Sequence, residues 1–288
     1  MELLNNLPLT RMKILVAKGI YKVLTIANKN DIRRVSRGGI NFELDLAEGI
    51  DLSIYLFGNF QKHILAKKYF AMPNDAIIFD VGANIGAMTL PYALSVKGKG
   101  KGKVFSFEPT DYAYKKLLRN ISLNPELSET IEVTKCFVSS SATENSKLKA
   151  FSSWKLDDGG KNLHPVHLGS EMTTSSTPSI TLDDFAKTKN LTKVNYIKID
   201  TDGHEMDVLI GAKEILRRFK PIIVFECGQY LLKEQNLHVK DYVSFFQDLG
   251  YELINLSSNI KLNLNNIADE VPRNATIDII AIPRLEKL

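Results

Sequence analysis

Cysteine is scarce in this 288-residue chain, which contains only Cys136 and Cys227. The pair forms neither a metal-binding spacing nor a disulfide framework, so both thiols are expected to be reduced and the protein cytoplasmic. Long apolar runs are also missing. No window reaches the roughly 20 apolar residues that a membrane-spanning helix needs. The best N-terminal stretch, Met12 to Ala27, is interrupted by Lys18 and Lys22 and lacks the unbroken core of a signal peptide. Neither sign of charge dominates: 37 Lys and Arg against 33 Asp and Glu leave a net charge of +4. That balance supplies no contiguous basic groove for nucleic acid, although it admits an acidic substrate or a membrane surface. Tryptophan occurs once, as Trp154.

What is present suits a folded domain. Hydrophobic residues make up 44% of the chain and charged residues 24%, ordinary values for a soluble globular protein with a full core. The length predicts one large α/β domain, residues 73–288, behind a small helix-and-hairpin cap, residues 1–72. Residues 11–29 read as a basic amphipathic helix, with Lys18 and Lys22 on one face and Leu15, Val16, Ile20, Val23 and Leu24 free to pack elsewhere. Its expected partner is its own domain or a second copy in a homo-oligomer, with peripheral membrane contact as the rival. The alternation Phe42, Leu44, Leu46, followed by a glycine and a second apolar run to Phe57, predicts a hairpin over 41–57, and residues 58–70 predict a helix.

From Ala76 onward, strands alternate with helices. Strands are expected to end at Asp80, Glu108, the Cys136–Val138 region, Asp200 and Glu226, with two more over 251–256 and 275–283. Helices are expected over 85–94, after a cap at Asp111, along Val208–Phe219 and over 240–249. Such alternation implies a mostly parallel sheet covered on both faces, with ligands beyond the carboxyl ends of the strands. Two segments stand apart. Lys97–Lys103 reads as a solvated flexible loop. Residues 139–179 form an insertion too long for a plain connection, whose Trp154, His164 and His167 either line a substrate pocket or anchor the segment.

The densest signal is Ile77–Leu90, an apolar strand, a turn containing Asp80, Gly82, Asn84 and Gly86, and a helix. The glycines let the chain reverse and let a ligand approach the backbone. A helix start offers N–H groups and partial positive charge to an anion. The glycines stand four apart behind an acid instead of forming the dinucleotide pattern. This points to S-adenosyl-L-methionine, whose amino acid end carries both an ammonium and a carboxylate; Asp80 would orient the ammonium. Glu108, at the next strand end, is placed to accept ribose hydroxyls. The third cluster, Ile197–Glu205, sets Asp200, Asp202, His204 and Glu205 behind one strand. Alkylating a hydroxyl requires removal of its proton, so Asp200, His204 and, from the neighbouring strand end, Glu226 are the candidates for base or acceptor contact. No metal ligand set is assigned.

The stretches "FDVGANIGAMTL", "FSFEP", "TLDDF", "YIKIDTDGHEMDVLIGA" and "PIIVFE", in that order, resemble the FkbM family of S-adenosylmethionine-dependent methyltransferases over roughly Asn41 to Pro283. The resemblance implies a class I methyltransferase, Rossmann-like α/β fold with a mostly parallel seven-stranded sheet. It implies O-methyl transfer to a saccharide, glycan or small-molecule natural product. It also implies that Asp80, Gly82, Asn84, Gly86 and Glu108 bind the cofactor, with Phe137 or Val138 near its adenine. Asp202 stands where the family more often has glutamate, and Gln61 where a glutamate commonly follows a glycine and an aromatic. The rival readings are methylation of RNA or protein and a non-catalytic protein that keeps the cofactor fold.

Overall fold

Two glycines with positive φ, Gly38 and Gly39, turn strand β1 (Ile32–Arg37) into its antiparallel partner β2 (Ile40–Asp45). The hairpin therefore lies one strand earlier than the sequence suggested. The second apolar run is instead helix α1 (Gly49–Phe57), closed by Gly58 in the left-handed conformation. The buried Asp51 carboxylate, accepting the Asp45 N–H at 2.6 Å, fixes α1 against the end of β2. Within the helix expected over 58–70, residues 62–65 form a single 3-10 turn, because Gly58 and Gln61 both take positive φ and break α-helical continuity. This computed structural model describes residues 17–24, 31–65, 68, 70–98, 101–144, 148–150, 172, 174 and 177–284. Trp154, His164 and His167 lie outside the described residues, as do parts of the 11–29 segment and of the Lys97–Lys103 loop.

The main sheet is built from β3 (Ile77–Val81), β4 (Lys103–Phe107), β5 (Ile131–Thr134), β8 (Tyr196–Ile199), β9 (Ile222–Cys227), β10 (Tyr251–Asn255), β11 (Lys261–Leu262) and β12 (Ile277–Pro283). Their spatial order is β11-β10-β12-β9-β8-β3-β4-β5. β3, β4, β5, β8 and β9 run parallel, and β12 runs antiparallel to β9 and β10. This is the Rossmann-like sheet that the alternation predicts, with a two-residue edge strand, β11, added to the seven expected. The remaining strands, β6 (Phe137–Val138) and β7 (Ser179–Ile180), pair with each other beside it. The segment read as one third strand thus divides between β5 and β6.

Strand periodicity sorts each side chain to one of two cores. Phe79, Phe105 and Phe107 meet Phe185 edge-to-face on one side, under helices α4 (Leu182–Thr188), α5 (Glu205–Ile210), α6 (Lys213–Arg218) and α7 (Val239–Asp248). The intervening helices are α2 (Thr89–Val96) and α3 (Asp111–Ser122). On the opposite face Ile78, Val104, Tyr196, Val224 and Ile280 share one cluster with α2 and with Ile40, Phe42, Leu44, Ile54 and Phe70 of the N-terminal segment. Residues 17–24 are helical, and Ala17, Tyr21 and Leu24 pack on Leu46 and Leu52, whereas Val23 is 68% exposed. Val23 therefore does not belong to the packing face. The long helix expected from Val208 is broken into α5 and α6 at Gly211, where a Cβ would stand 2.1 Å from the Ser139 carbonyl oxygen.

Candidate active site

Chain order runs outward from β3 through β4 to β5, then restarts at β8 on the other side. At this reversal, beyond the carboxyl ends, lies a cavity of about 870 Å³ counted with its open mouth. Gly82, Asn84, Glu108, Phe137, Val138, Asp200 and His204 line it. Asp80, Gly86 and Glu226 do not.

The glycine turn is shaped by its contacts. Gly82 has φ +73°, and a Cβ there would come within 1.8 Å of the Asp200 carbonyl oxygen, so the turn packs directly on the end of β8. Gly86, with φ +91°, makes room instead for Leu117 of α3. The N–H groups of the turn are largely committed. Gly82 and Ala83 both donate to the Phe107 carbonyl at 3.0 Å, Gly86 donates to Ala83, and Asn84, with φ 48°, donates to Glu108 at 2.9 Å. Residues 84–88 are turns and α2 begins only at Thr89. The expected helix start over Ile85 is therefore displaced by one turn, and the loop clears space for a ligand more than it offers free N–H groups.

Glu108 lies almost wholly buried on the cavity wall. Its Oε1 accepts the Thr110 N–H at 3.0 Å and the Thr110 hydroxyl at 2.6 Å, and its Oε2 accepts the Asn84 N–H. A carboxylate has about four acceptor positions, so one remains, on Oε2. Burial raises its pKa while these donors pull the other way. Thr110 also caps α3, accepting the Ala113 N–H; Asp111, expected as the cap, is instead the first helical residue and pairs with Lys135. Beyond Glu108 the wall turns apolar at Phe107, Cys136, Phe137 and Val138. Burial pushes the Cys136 thiol up to about 12, so it acts as a neutral apolar surface.

The acidic cluster after β8 divides by role. Glu205 is buried and accepts from the Thr201 N–H, the Thr201 hydroxyl and the Gly203 N–H, so it holds the 201–203 turn together. Asp202, with φ 51°, is exposed to the cleft yet ringed by protein because it sits on a concave wall. That crowding, followed by the charges of Asp200 and Glu205, pushes its carboxyl up to about 7. The Asp207 carboxylate, 3.9 Å from His204 Nδ1, holds the imidazole above its ordinary range. Asp200 faces the cavity and accepts from Gln61 Nε2 at 3.2 Å.

Asp80 lies beneath the loop. It is fully buried, accepts from the Thr89 hydroxyl at 2.6 Å and stands 3.4 Å from Lys198 Nζ. Glu226 sits beside Asp200 at the end of β9, opposite Asp278 of β12, and burial followed by the Asp200 charge holds its carboxyl well above the usual range. Asp278 in turn meets His63 Nε2 at 2.5 Å. Sequence reasoning missed Glu48, Asp51, Tyr112 and Lys116, which bring the start of α1 and the first turns of α3 to the cavity wall. It also missed Lys198. For Lys198 a signal existed: a lysine at an inward position of a strand otherwise buried on both faces needs a partner. Among the described residues, no group of three or more His, Cys, Asp or Glu side chains is arranged to hold a metal ion.

A family model described as the methyltransferase FkbM domain matches residues 80–253. The methyltransferase sdnD of Sordaria araneosa is 27% identical over 202 residues, covering 59% of this chain and 76% of that protein. The hexuronic acid methyltransferase AglP of Haloferax volcanii is 28% identical over 150 residues, covering 52% of this chain and 55% of AglP, so the match spans about half of that relative. Among solved structures, an FkbM methyltransferase from Methylobacillus flagellatus KT aligns over 77% of this chain and 48% of its own, with 18% identity and a TM-score of 0.45.

Proposed function

Because the chain belongs to the FkbM family of methyltransferases, whose cofactor is S-adenosylmethionine, we propose that it methylates a hydroxyl of a saccharide, a glycan or a small-molecule natural product. The observation that carries this reading is the composition of the cavity wall described above. A buried carboxylate with an acceptor position to spare, Glu108, adjoins an apolar surface on one side and a group of titratable side chains, Asp200, Asp202 and His204, on the other. That donor and acceptor set fits an adenosine with an amino acid tail. Glu108 would take a ribose hydroxyl, Phe137 and Val138 the adenine, and Gly82 and Asn84 the turn toward the amino acid end. Asp80 and Gly86 support the loop from behind, and Asp80 would act on the ammonium only through that support.

When bound, the cofactor supplies an electrophilic methyl group on a sulfonium, so the protein's own tasks are alignment, exclusion of water and removal of one proton. Asp200 faces the cavity and is held by Gln61, which suits orientation of an acceptor hydroxyl. Beside it stand Asp202, with its carboxyl raised to about 7, and His204, whose charged form the Asp207 carboxylate favours, as the candidates for proton transfer. Glu226, at the neighbouring strand end and outside the cavity lining, has its carboxyl raised by burial and by the Asp200 charge, so it bears on the acceptor only through Asp200. The name of AglP, a hexuronic acid methyltransferase, supports a sugar-like acceptor. The test is calorimetric titration with S-adenosylmethionine and S-adenosylhomocysteine, followed by a panel of uronic acids, neutral sugars and hydroxylated natural products assayed for transfer of labelled methyl. Binding followed by label on a hydroxyl oxygen is the expected result. Label on a nucleobase or a protein side chain would overturn it.

A further inference from the structure

Among the described residues, Lys198 is the one buried ammonium in the neighbourhood of the site, and nothing in the proposed chemistry uses it. It belongs to β8, two residues before Asp200, on the face that also carries Ile78, Tyr196, Val224 and Ile280. In the sheet register it lies directly beside Asp80 of β3. Its Nζ donates to the Gly82 carbonyl at 2.8 Å and reaches the Val81 carbonyl at 3.5 Å. The same Nζ lies 3.4 Å from Asp80 Oδ1 and 3.6 Å from Asp200 Oδ2. The group thus touches the glycine turn on one side and the cavity-facing carboxylate on the other. These two walls meet where Gly82 packs against the Asp200 backbone carbonyl.

We propose that Lys198 is a positioning residue for methyl transfer, its ammonium fixing the Gly82 carbonyl and the Asp200 carboxylate in one relation so that cofactor loop and acceptor wall move as a unit. The inference rests on the methyltransferase reading. Neutralising Asp80 would by itself require only proximity to that carboxylate. The short, well-placed bond to Gly82 and the reach to Asp200 go beyond it. Although burial opposes the charge, Asp80 and Asp200 outweigh it and hold Lys198 protonated. Gln61 supports Asp200 from the cap side, so the carboxylate is held from both directions.

The experiment is calorimetric titration of S-adenosylhomocysteine into the wild type, Asp80→Asn, and the double variant Asp80→Asn with Lys198→Met. Asp80→Asn leaves the ammonium on Gly82 and Asp200, whereas the double variant replaces the buried Asp80–Lys198 pair with neutral side chains and leaves the partly exposed Asp200 carboxylate to Gln61. We expect the double variant to bind at least about tenfold more weakly than Asp80→Asn, the loss of one charge-assisted hydrogen bond to the loop. Its unfolding midpoint should stay within about 3 °C of the single variant's. Equal affinity of the two variants would overturn the positioning role while leaving the methyltransferase reading intact. A wild type that binds neither cofactor nor product would overturn both. A measurement on the native protein guards against a variant that does not fold: the slowly exchanging Lys198 ammonium, observed by nitrogen-15 NMR, should shift when S-adenosylhomocysteine is added, and an unmoved signal would equally overturn the role.

Discussion

At the scale of single residues, the lone pairs of Glu108 decide how a ribose can be held. Three of about four acceptor positions are filled by Thr110 and Asn84. One ribose hydroxyl can therefore bind directly, and a second requires a loop donor to turn away. Replacing Glu108 with Ala should weaken S-adenosylhomocysteine binding by about 1–3 kcal/mol, because the ribose loses its acceptor and the Asn84 and Thr110 donors are stranded; calorimetry checks this. An unchanged affinity would remove Glu108 from the site. Asp202 makes a pH-dependent prediction. Its carboxyl is raised to about 7 from an unfolded value near 3.8, so the folded state is penalised as the group ionises. Its contribution to stability falls as pH rises from about 4 to about 7 and is level beyond. Asp202→Asn, which also tolerates the positive φ, should match the wild type in thermal unfolding at pH 4 and exceed it at pH 8. A gap that shrank toward pH 8 would contradict the assignment. How this acid behaves was not readable from "IKIDTDGHE". The sequence marks the cluster as polar, but tertiary contacts sort it into a buried turn brace, Glu205, a carboxyl on the cleft wall, Asp202, and a paired carboxylate, Asp200.

At the scale of elements, glycine governs where helices stop and strands meet. Gly211 stands between α5 and α6, where the Ser139 carbonyl after β6 occupies the place of its Cβ and excludes any larger residue. Gly211→Ala should cost about 1–3 kcal/mol in urea unfolding through this clash. It should also loosen the Phe137–Val138 wall, seen as a weaker response to adenine-containing ligands than to the bare amino acid portion. The periodic run Val208–Phe219 reads as one helix because its apolar spacing continues across the break, which the pattern does not mark. The same limit explains the hairpin. Phe42, Leu44 and Leu46 mark a strand correctly, yet its partner is the arginine-rich β1, whose outer face is exposed and so lacks an apolar pattern. The third strand divides because β6 leaves the sheet to pair with β7, a residue pair some 40 positions on that no local pattern announces.

At the scale of the whole molecule, two asparagines hold the N-terminal hairpin, and one of them joins it to the cofactor loop. Asn120 of α3, with no exposed surface, accepts the Glu43 N–H at 2.8 Å and donates to the Ile85 carbonyl at 2.9 Å. Asn124 exchanges two hydrogen bonds with the Asn41 backbone. Asn120→Ala leaves a buried N–H and a buried carbonyl without partners. It should cost about 2–5 kcal/mol of stability, read from the denaturation midpoint, and should lower cofactor affinity as well. An affinity unchanged in the folded variant would show that the hairpin and the loop are independent. With a shared apolar cluster and these hydrogen bonds, the hairpin, α1 and the sheet should unfold in a single transition.

The sequence by itself determined the alternation of strands and helices, the glycine turn after Asp80, the acid at Glu108 and the family. Each rests on short-range chemistry: period-two and period-3.6 apolar spacing, glycines that must take positive φ, and acids placed at strand ends. Only the tertiary structure decided which groups reach the cavity. Parallel neighbours bring together residues more than a hundred positions apart, as with Asp80 and Lys198, the N-terminal segment brings Gln61 to Asp200, and strand pleating then turns each strand side chain up toward the ligand or down into the core. That geometry placed Asp80 beneath the loop, set Lys198 between the two walls, and brought α1 and α3 to the cavity, because contact across a sheet depends on register and not on distance along the chain.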